Sequence, residues 1–100
     1  MGPKLRKFQE WQQISEKRYY QGDINKNGQK DGQGILIEPS RLVISYWKSD
    51  KPHGSFTILF PDGVVQIGTF RDGKHHGQCT LTLTDGTTEK FKYDNGKPVE

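Results

Sequence analysis

A period of 23 residues organises most of this 100-residue chain. Ile24, Trp47, Phe70 and Tyr93 follow one another at that interval, and pairs of glycine, aspartate and histidine keep it as well. These pairs are Gly54 and Gly77, Gly63 and Gly86, Gly73 and Gly96, Asp62 and Asp85, and His53 and His76. A sustained period of this length indicates an array of similar supersecondary units, each packed against its neighbours.

Each unit is predicted to be a β-hairpin. Thr and Leu alternate over residues 80–84, which is typical of a half-buried strand, and glycine-containing turns separate such segments. The sequence predicts seven short antiparallel strands, near residues 18–24, 33–38, 42–48, 54–60, 64–70, 77–83 and 87–93. The bulky residues that keep the 23-residue interval are expected to line one face of the resulting sheet.

The N-terminal residues do not follow the repeat. Leu5, Phe8, Trp11 and Ile14 recur at every third position with polar residues between them, which predicts a short amphipathic helix over residues 4–17. Residues 1–18 also hold five basic and two acidic side chains, so they account for the whole net charge of +3. We therefore divide the chain into a basic amphipathic segment, 1–17, and a repeat domain, 18–100.

Composition limits the classes of protein that this chain can represent. Hydrophobic residues make up 30% of it and charged residues 27%, so the core is small and an enzyme with a deep pocket is disfavoured. The chain has no alanine and 11% aromatic residues, a balance that favours strands over helices. One cysteine, Cys79, cannot form an internal disulfide, which fits an intracellular, reducing compartment.

Three motifs resemble the MORN repeat, a tyrosine-glycine-aromatic segment followed by spaced glycines. They are Tyr20-Gln-Gly22-Asp-Ile24, Gly32-Gln-Gly34 and Phe70-Arg-Asp-Gly73-Lys-His-His76-Gly77. The resemblance covers residues 18–100 in about three and a half units, and it implies an all-β, single-layer antiparallel sheet of consecutive hairpins. It also implies a role in protein–protein contact, as in ciliary radial spokes, protist cytoskeletons and membrane junctions, with no catalytic residue in the repeat itself.

We therefore predict a non-enzymatic scaffold subunit, without a cofactor, that mediates contacts inside a larger protein complex. The resemblance favours a ciliary or cytoskeletal complex, and a mitochondrial one stays open. The candidate partner-binding residues are apolar, and they are Leu5, Phe8, Trp11, Ile14, Trp47, Phe70, Phe91 and Tyr93. The alternative is a peripheral membrane adaptor that meets anionic phospholipids through the basic segment. Nucleic acid is disfavoured because the repeat domain carries no excess of positive charge.

The last strand is predicted to be an open edge. After residues 87–93, the stretch Asn95-Gly96-Lys97-Pro98 leads only to Val99 and Glu100, so the second strand of that hairpin is expected to be missing. An unpaired edge can bind a strand from another chain or from a second copy, end to end.

Two metal-site interpretations are weaker than structural ones. His53, His75, His76 and Cys79 suggest zinc, but the repeat explains the histidines and a lone cysteine lacks the paired spacing of a zinc site. Residues 23–34 resemble a calcium-binding loop, yet Gly34 replaces the bidentate glutamate at its last position. We prefer a hairpin turn there and predict no metal, with a calcium-responsive regulator as a third hypothesis.

Overall fold

The computed structural model describes residues 12–15 and 17–99, which form one antiparallel sheet. The strands are β1 (Gln12–Ser15), β2 (Arg18–Ile24), β3 (Lys30–Glu38), β4 (Arg41–Lys48), β5 (Lys51–Leu59), β6 (Val65–Arg71), β7 (Lys74–His75), β8 (Gly77–Thr82), β9 (Thr88–Asp94) and β10 (Lys97–Val99). They lie side by side in chain order, except that the two-residue β7 pairs with β6 next to β8. The prediction of an all-β sheet of consecutive hairpins is confirmed.

The N-terminal end of the sheet differs from its prediction. Residues 12–15 form β1, with Gln12 opposite Tyr20 and Gln13 opposite Tyr19, so the predicted helix over 4–17 is wrong for this stretch. A short helix is marginal by itself, whereas the edge of β2 offers unpaired backbone groups to a strand. The rest of that prediction, including Leu5, Phe8 and Trp11, lies outside the described residues.

The tips of three hairpins are tight turns with the same backbone conformation. Ser49-Asp50, Asp72-Gly73 and Asn95-Gly96 each have positive φ at two successive residues, which is typical of the type I′ turn that matches the twist of a hairpin. Each turn also reaches back to the preceding unit. The amide nitrogens of Asp50, Gly73 and Gly96 donate to the carbonyl oxygens of Lys30, Pro52 and His75 at 2.9, 3.0 and 2.7 Å. These contacts join neighbouring units by backbone hydrogen bonds.

An irregularity in strand pairing also recurs at the 23-residue interval. The register shifts between Gly22 and Ile24 and again between Ser45 and Trp47. In the third unit the shift falls between Ile67, which pairs with Thr80, and Phe70, which pairs with His75. Such bulges increase the local twist of a sheet. The repeat of the sequence is therefore a repeat of backbone geometry as well as of side chains.

One face of the sheet, called the inner face here, carries the core. Its buried side chains alternate along the strands with side chains of the opposite face, and they are Tyr20, Leu36, Val43, Trp47, Phe56, Ile58, Phe70 and Cys79. Ile24, Phe60 and Tyr93 pack against this cluster. The predicted ladder of Ile24, Trp47, Phe70 and Tyr93 on one face is confirmed.

Two aromatic side chains of the core lie against a glycine. A Cβ added at Gly34 would overlap the ring of Tyr20, and the indole Nε1 of Trp47 donates to the Gly34 carbonyl oxygen at 3.2 Å. The Tyr20 hydroxyl donates to the Asp23 carbonyl oxygen at 2.8 Å, and burial together with the charge of Asp23 raises its pKa well above the usual range. Gly34 is thus required by close packing between units.

We expect Gly34→Ala to lower the free energy of unfolding by up to about 3 kcal/mol, the upper part of the usual cost of overpacking. Gly28→Ala is the control, because nothing lies within 4 Å of its added Cβ and only the positive φ of 78° opposes it. That conformation costs about 1 kcal/mol for a residue with a side chain. Urea denaturation measures both losses. Equal losses would contradict the packing of Tyr20 on Gly34.

The C-terminal end of the sheet corrects another prediction. The second strand of the last hairpin is present as β10, with Lys97 opposite Asp94 and Val99 opposite Lys92. Within the described residues, β10 pairs with only the last three positions of β9, and residues 88–91 have no neighbour on that side. The interpretation of 87–93 as a wholly open edge is therefore wrong for its C-terminal part.

Candidate binding surface

The face opposite the core, called the outer face here, carries two rows of apolar side chains. Strand pairing aligns Tyr19, Ile37, Leu42, Leu59 and Val65 in the first row. It aligns Ile35, Ile44, Thr57 and Ile67 in the second. With Tyr46, which lies beside Ile44 on the same face, the apolar members of these rows form what we call the apolar stripe.

Five side chains of the apolar stripe are exposed, and the other four are half-buried. Ile67 keeps 51% of its side chain accessible, Tyr46 48%, Ile44 40%, Leu59 39% and Tyr19 37%, whereas the core residues of the inner face keep 7% or less. Scattered apolar side chains are normal on a protein surface, but a contiguous group is characteristic of an interaction site. Over β3 to β6 the sheet is therefore apolar on both faces, and among residues 12–15 and 17–99 the fully buried apolar side chains lie on the inner face.

A shallow groove of about 430 Å³ lies in the middle of the stripe. Ile35, Ile44 and Ile67 line it together with Ser55 and Thr57, whose small side chains leave the space open. At the border of the groove, the Gln33 amide Nε2 donates to the Tyr46 hydroxyl oxygen at 3.0 Å. This hydrogen bond restrains the phenol ring beside the groove. The groove can accept one or two apolar side chains of a partner.

Lysines border the stripe at the C-terminal end of the sheet. Lys90 lies opposite Thr80, at the end of the second row, and Lys92 lies opposite Gln78. Within residues 12–15 and 17–99 neither lysine forms an ion pair with a carboxylate. The described residues of the two rows include no acidic side chain. Two lysines without a carboxylate partner among the described residues therefore lie at this end of the outer face.

A stacked cluster joins the core to the last hairpin. The His75 imidazole lies between the rings of Phe70, at 4.7 Å, and Tyr93, at 5.0 Å, and meets the edge of Phe56 at 5.3 Å. Its Nδ1 is buried and has no hydrogen-bond partner in the part of the chain that the structure describes. Burial, assisted by the charge of Arg41, lowers the pKa of His75, so the neutral imidazole is the form that packs here.

Stability should therefore fall on acidification. An unfolded histidine has a pKa of about 6.5, so below that pH the unfolded chain binds a proton that the folded chain does not. We expect the free energy of unfolding to decline from about pH 6.5 down to the folded pKa of His75, and His75→Phe to remove this slope. Thermal unfolding between pH 8 and 5 measures it, with His53→Gln as the control. Parallel curves for the parent and His75→Phe would contradict the buried neutral imidazole.

The predicted partner-binding residues are divided among several environments. Trp47 and Phe70 are buried in the core, where the side chains that keep the 23-residue interval pack between the units, and their role as contact residues stays a prediction. Tyr93 is half-buried against His75, while Ile14 on β1 and Phe91 on β9 stay exposed at 40% and 42%. Leu5, Phe8 and Trp11 lie outside the described residues.

The residues considered as metal ligands serve hairpin geometry. His53 Nδ1 accepts from the Asp72 amide at 3.3 Å, and His76 Nδ1 accepts from the Asn95 amide at 3.2 Å, which is the same contact one unit later. In the calcium-like loop the Asn25 side-chain oxygen accepts from the amides of Asn27 and Gln29. Within the described residues, no three His, Cys, Asp or Glu side chains are placed to share a metal ion.

Sequence reasoning missed Ile44, Tyr46, Leu59 and Ile67 because it followed a single apolar face. A signal was present: residues 35–37 and 42–44 are uninterrupted apolar runs, which indicate a strand that is apolar on both faces. In a single-layer sheet only one of those faces can be covered by the core.

Comparison with known proteins agrees with this architecture. The model of the MORN repeat family matches three stretches, residues 20–39, 44–65 and 67–88, which together make up more than half of the chain. A probable serine/threonine-protein kinase of Dictyostelium discoideum is 33% identical over 46 residues, which is 46% of this chain but 3% of that protein. The chain belongs to the MORN repeat family.

Proposed function

We propose that this protein is a non-enzymatic binding module that holds a partner protein on its apolar stripe and so acts as a scaffold part within a larger complex. The observation that carries the proposal is the exposure of Ile44, Tyr46 and Ile67 around one groove. Leaving several large apolar side chains in water is unfavourable by roughly 25 cal/mol per Å² of apolar surface. A partner that covers the stripe would recover that free energy.

The sheet has the rigidity that a scaffold needs. Backbone hydrogen bonds from Asp50, Gly73 and Gly96 lock each unit to the preceding one, and the aromatic core is shared between neighbouring units. A surface that spans several such units keeps its shape, so a partner loses little free energy in ordering the site. The family resemblance favours a ciliary or cytoskeletal complex, and proximity labelling with the tagged chain tests that part of the proposal.

The test compares two double variants of the full chain. Ile44→Asp with Ile67→Asp places two charges in the stripe, whereas Asn27→Asp with Ser40→Asp places the same two charges at exposed turn residues outside both rows. We expect the first to lose at least nine-tenths of the partners captured by the parent and the second to keep them. The direct interaction is then measured by calorimetry with the purified partner. Equal capture by both folded variants would contradict a binding role for the stripe.

The second candidate function is binding to anionic phospholipids through the basic segment, which contains Lys4, Arg6, Lys7, Lys17 and Arg18. Lys17 is exposed, but Arg18 already pairs with Glu38 at 3.0 Å, so one of these cations is partly neutralised. The described residues contain no helix with the length and hydropathy needed to span a bilayer. Co-sedimentation with phosphatidylserine vesicles, before and after neutralising the five cations, tests the lipid proposal.

A further inference from the structure

Resting on the proposed function, we propose that the partner segment on the apolar stripe is an amphipathic helix with acidic residues at the end that lies over β8 and β9. Three properties of the outer face support this: the direction of the stripe, its length and the charges at its end.

The direction of the stripe favours a helix over a strand. Its two rows run across the strands, from Tyr19 on β2 to Val65 and Ile67 on β6. A bound strand gains most of its affinity by pairing with a sheet edge, but the backbone of these central strands is already paired on both sides. A helix lays one apolar face into a groove without any backbone pairing, and so it suits this position.

The length of the stripe sets the length of that helix. Crossing from β2 to β6 takes four strand spacings, or roughly 19 Å. A helix rises 1.5 Å per residue, so about 13 residues span the stripe. Apolar side chains three and four positions apart then fall on the sheet, and the groove lined by Ile35, Ile44 and Ile67 receives the central one.

The lysines on β9 determine which side chains the bound helix carries at one of its ends. A helix that continues past β6 meets Thr80 and Lys90 in the second row, and Lys92 lies one row away. Because these lysines have no carboxylate partner within the described residues, glutamate or aspartate on the helix would complement them. Charges at the rim of an interface act mainly on specificity and on the rate of association, and salt weakens their effect.

Reaching Lys90 and Lys92 on β9 takes two further strand spacings beyond β6, roughly 10 Å or about six more helical residues. The experiment therefore uses two synthetic 20-residue amphipathic peptides with the same leucine pattern, one with glutamate and one with lysine on its polar face. Each is titrated into the isotopically labelled full chain at low salt, and binding is followed by NMR. We expect the glutamate peptide to bind at least tenfold more tightly, with the largest methyl shifts at Ile44 and Ile67. Lys90→Glu with Lys92→Glu should reverse the preference. Lys26→Glu with Lys51→Glu, which makes the same change in net charge away from the two rows, should keep it.

Several results would overturn this inference. Equal affinity for both peptides would contradict the preference for an acidic helix. The proposed binding role of the stripe would still be tested separately, by Ile44→Asp with Ile67→Asp. Shifts confined to residues 88–91 would indicate strand addition at the edge instead. Tighter peptide binding after Leu5→Ser, Phe8→Ser and Trp11→Ser would show that the chain's own N-terminal segment occupies the stripe. Methyl shifts at Ile44 that depend on protein concentration in the absence of peptide would show that a second copy of the chain occupies the stripe.

Discussion

Replacing Trp47 by alanine is expected to lower the free energy of unfolding by about 3–5 kcal/mol. The indole is 6% exposed, meets the ring of Tyr20 edge to face at 5.9 Å, and donates to the Gly34 carbonyl oxygen. The ammonium of Lys30 lies 5.5 Å from the centre of its ring. The substitution therefore removes a buried ring, an aromatic contact and a cation–π contact together.

A loss of that size is a large share of the roughly 5–15 kcal/mol that stabilises a small domain. Trp47→Phe is the matched control. It keeps most of the apolar volume and loses the hydrogen bond to Gly34, so we expect about 1–2 kcal/mol from it. Guanidinium denaturation followed by far-ultraviolet circular dichroism measures both. If Trp47→Ala melted like the parent, the assignment of the 23-residue interval to the core would be mistaken.

The repeat was the part of the fold that the sequence predicted best. An interval that places Trp47 and Phe70 at equivalent positions requires equivalent environments, and both side chains are buried. The alternation of residues 80–84 likewise predicted which side chains of β8 face the core. These signals are local or periodic, so they can be recognised without knowing what the sheet packs against.

The features that were missed depend on contacts between distant residues. Residues 12–15 include the last member, Ile14, of an apolar series with helical spacing that begins at Leu5, yet the free edge of β2 makes these four residues a strand. The last hairpin is predicted to be incomplete because only Val99 and Glu100 follow the stretch Asn95-Gly96-Lys97-Pro98. Asn-Gly is nevertheless a strong signal for a type I′ hairpin turn, and the turn is sufficient to hold β10 against β9.

The apolar residues of the outer face were missed for a related reason. The sequence shows which residues are apolar but not which of two apolar faces becomes the core. Trp47 and Phe70 are buried on the inner face instead, where Gly34 lies against the ring of Tyr20 and Gly68 against that of Phe56. That leaves Ile44 and Ile67, which have smaller side chains, on the open face.

Phe56→Ala is expected to be as damaging as the loss of Trp47, at about 3–5 kcal/mol. Phe56 is 2% exposed, its ring lies 4.3 Å from that of Phe70, and a Cβ added at Gly68 would come within 3.0 Å of it. The residues opposite Phe56 on the two neighbouring strands are Ser45 and Gly68, whose small side chains leave the space of the missing ring unfilled. The cavity left behind therefore adds to the loss of apolar burial.

Phe91→Ala provides the comparison, since Phe91 lies opposite Cys79 on the same face of the sheet but is 42% exposed. Truncating a side chain that keeps so much of its surface in water should cost about 1 kcal/mol. Chemical denaturation of the two variants separates a core position from a surface position of identical residue type. Similar losses for both variants would mean that Phe91 is covered in solution. Another part of the chain or a second molecule would then have to contact the inner face around Phe91. A loss at Phe56 several times that at Phe91 would confirm that Phe56 belongs to the core and that Phe91 lies at the exposed margin of the inner face.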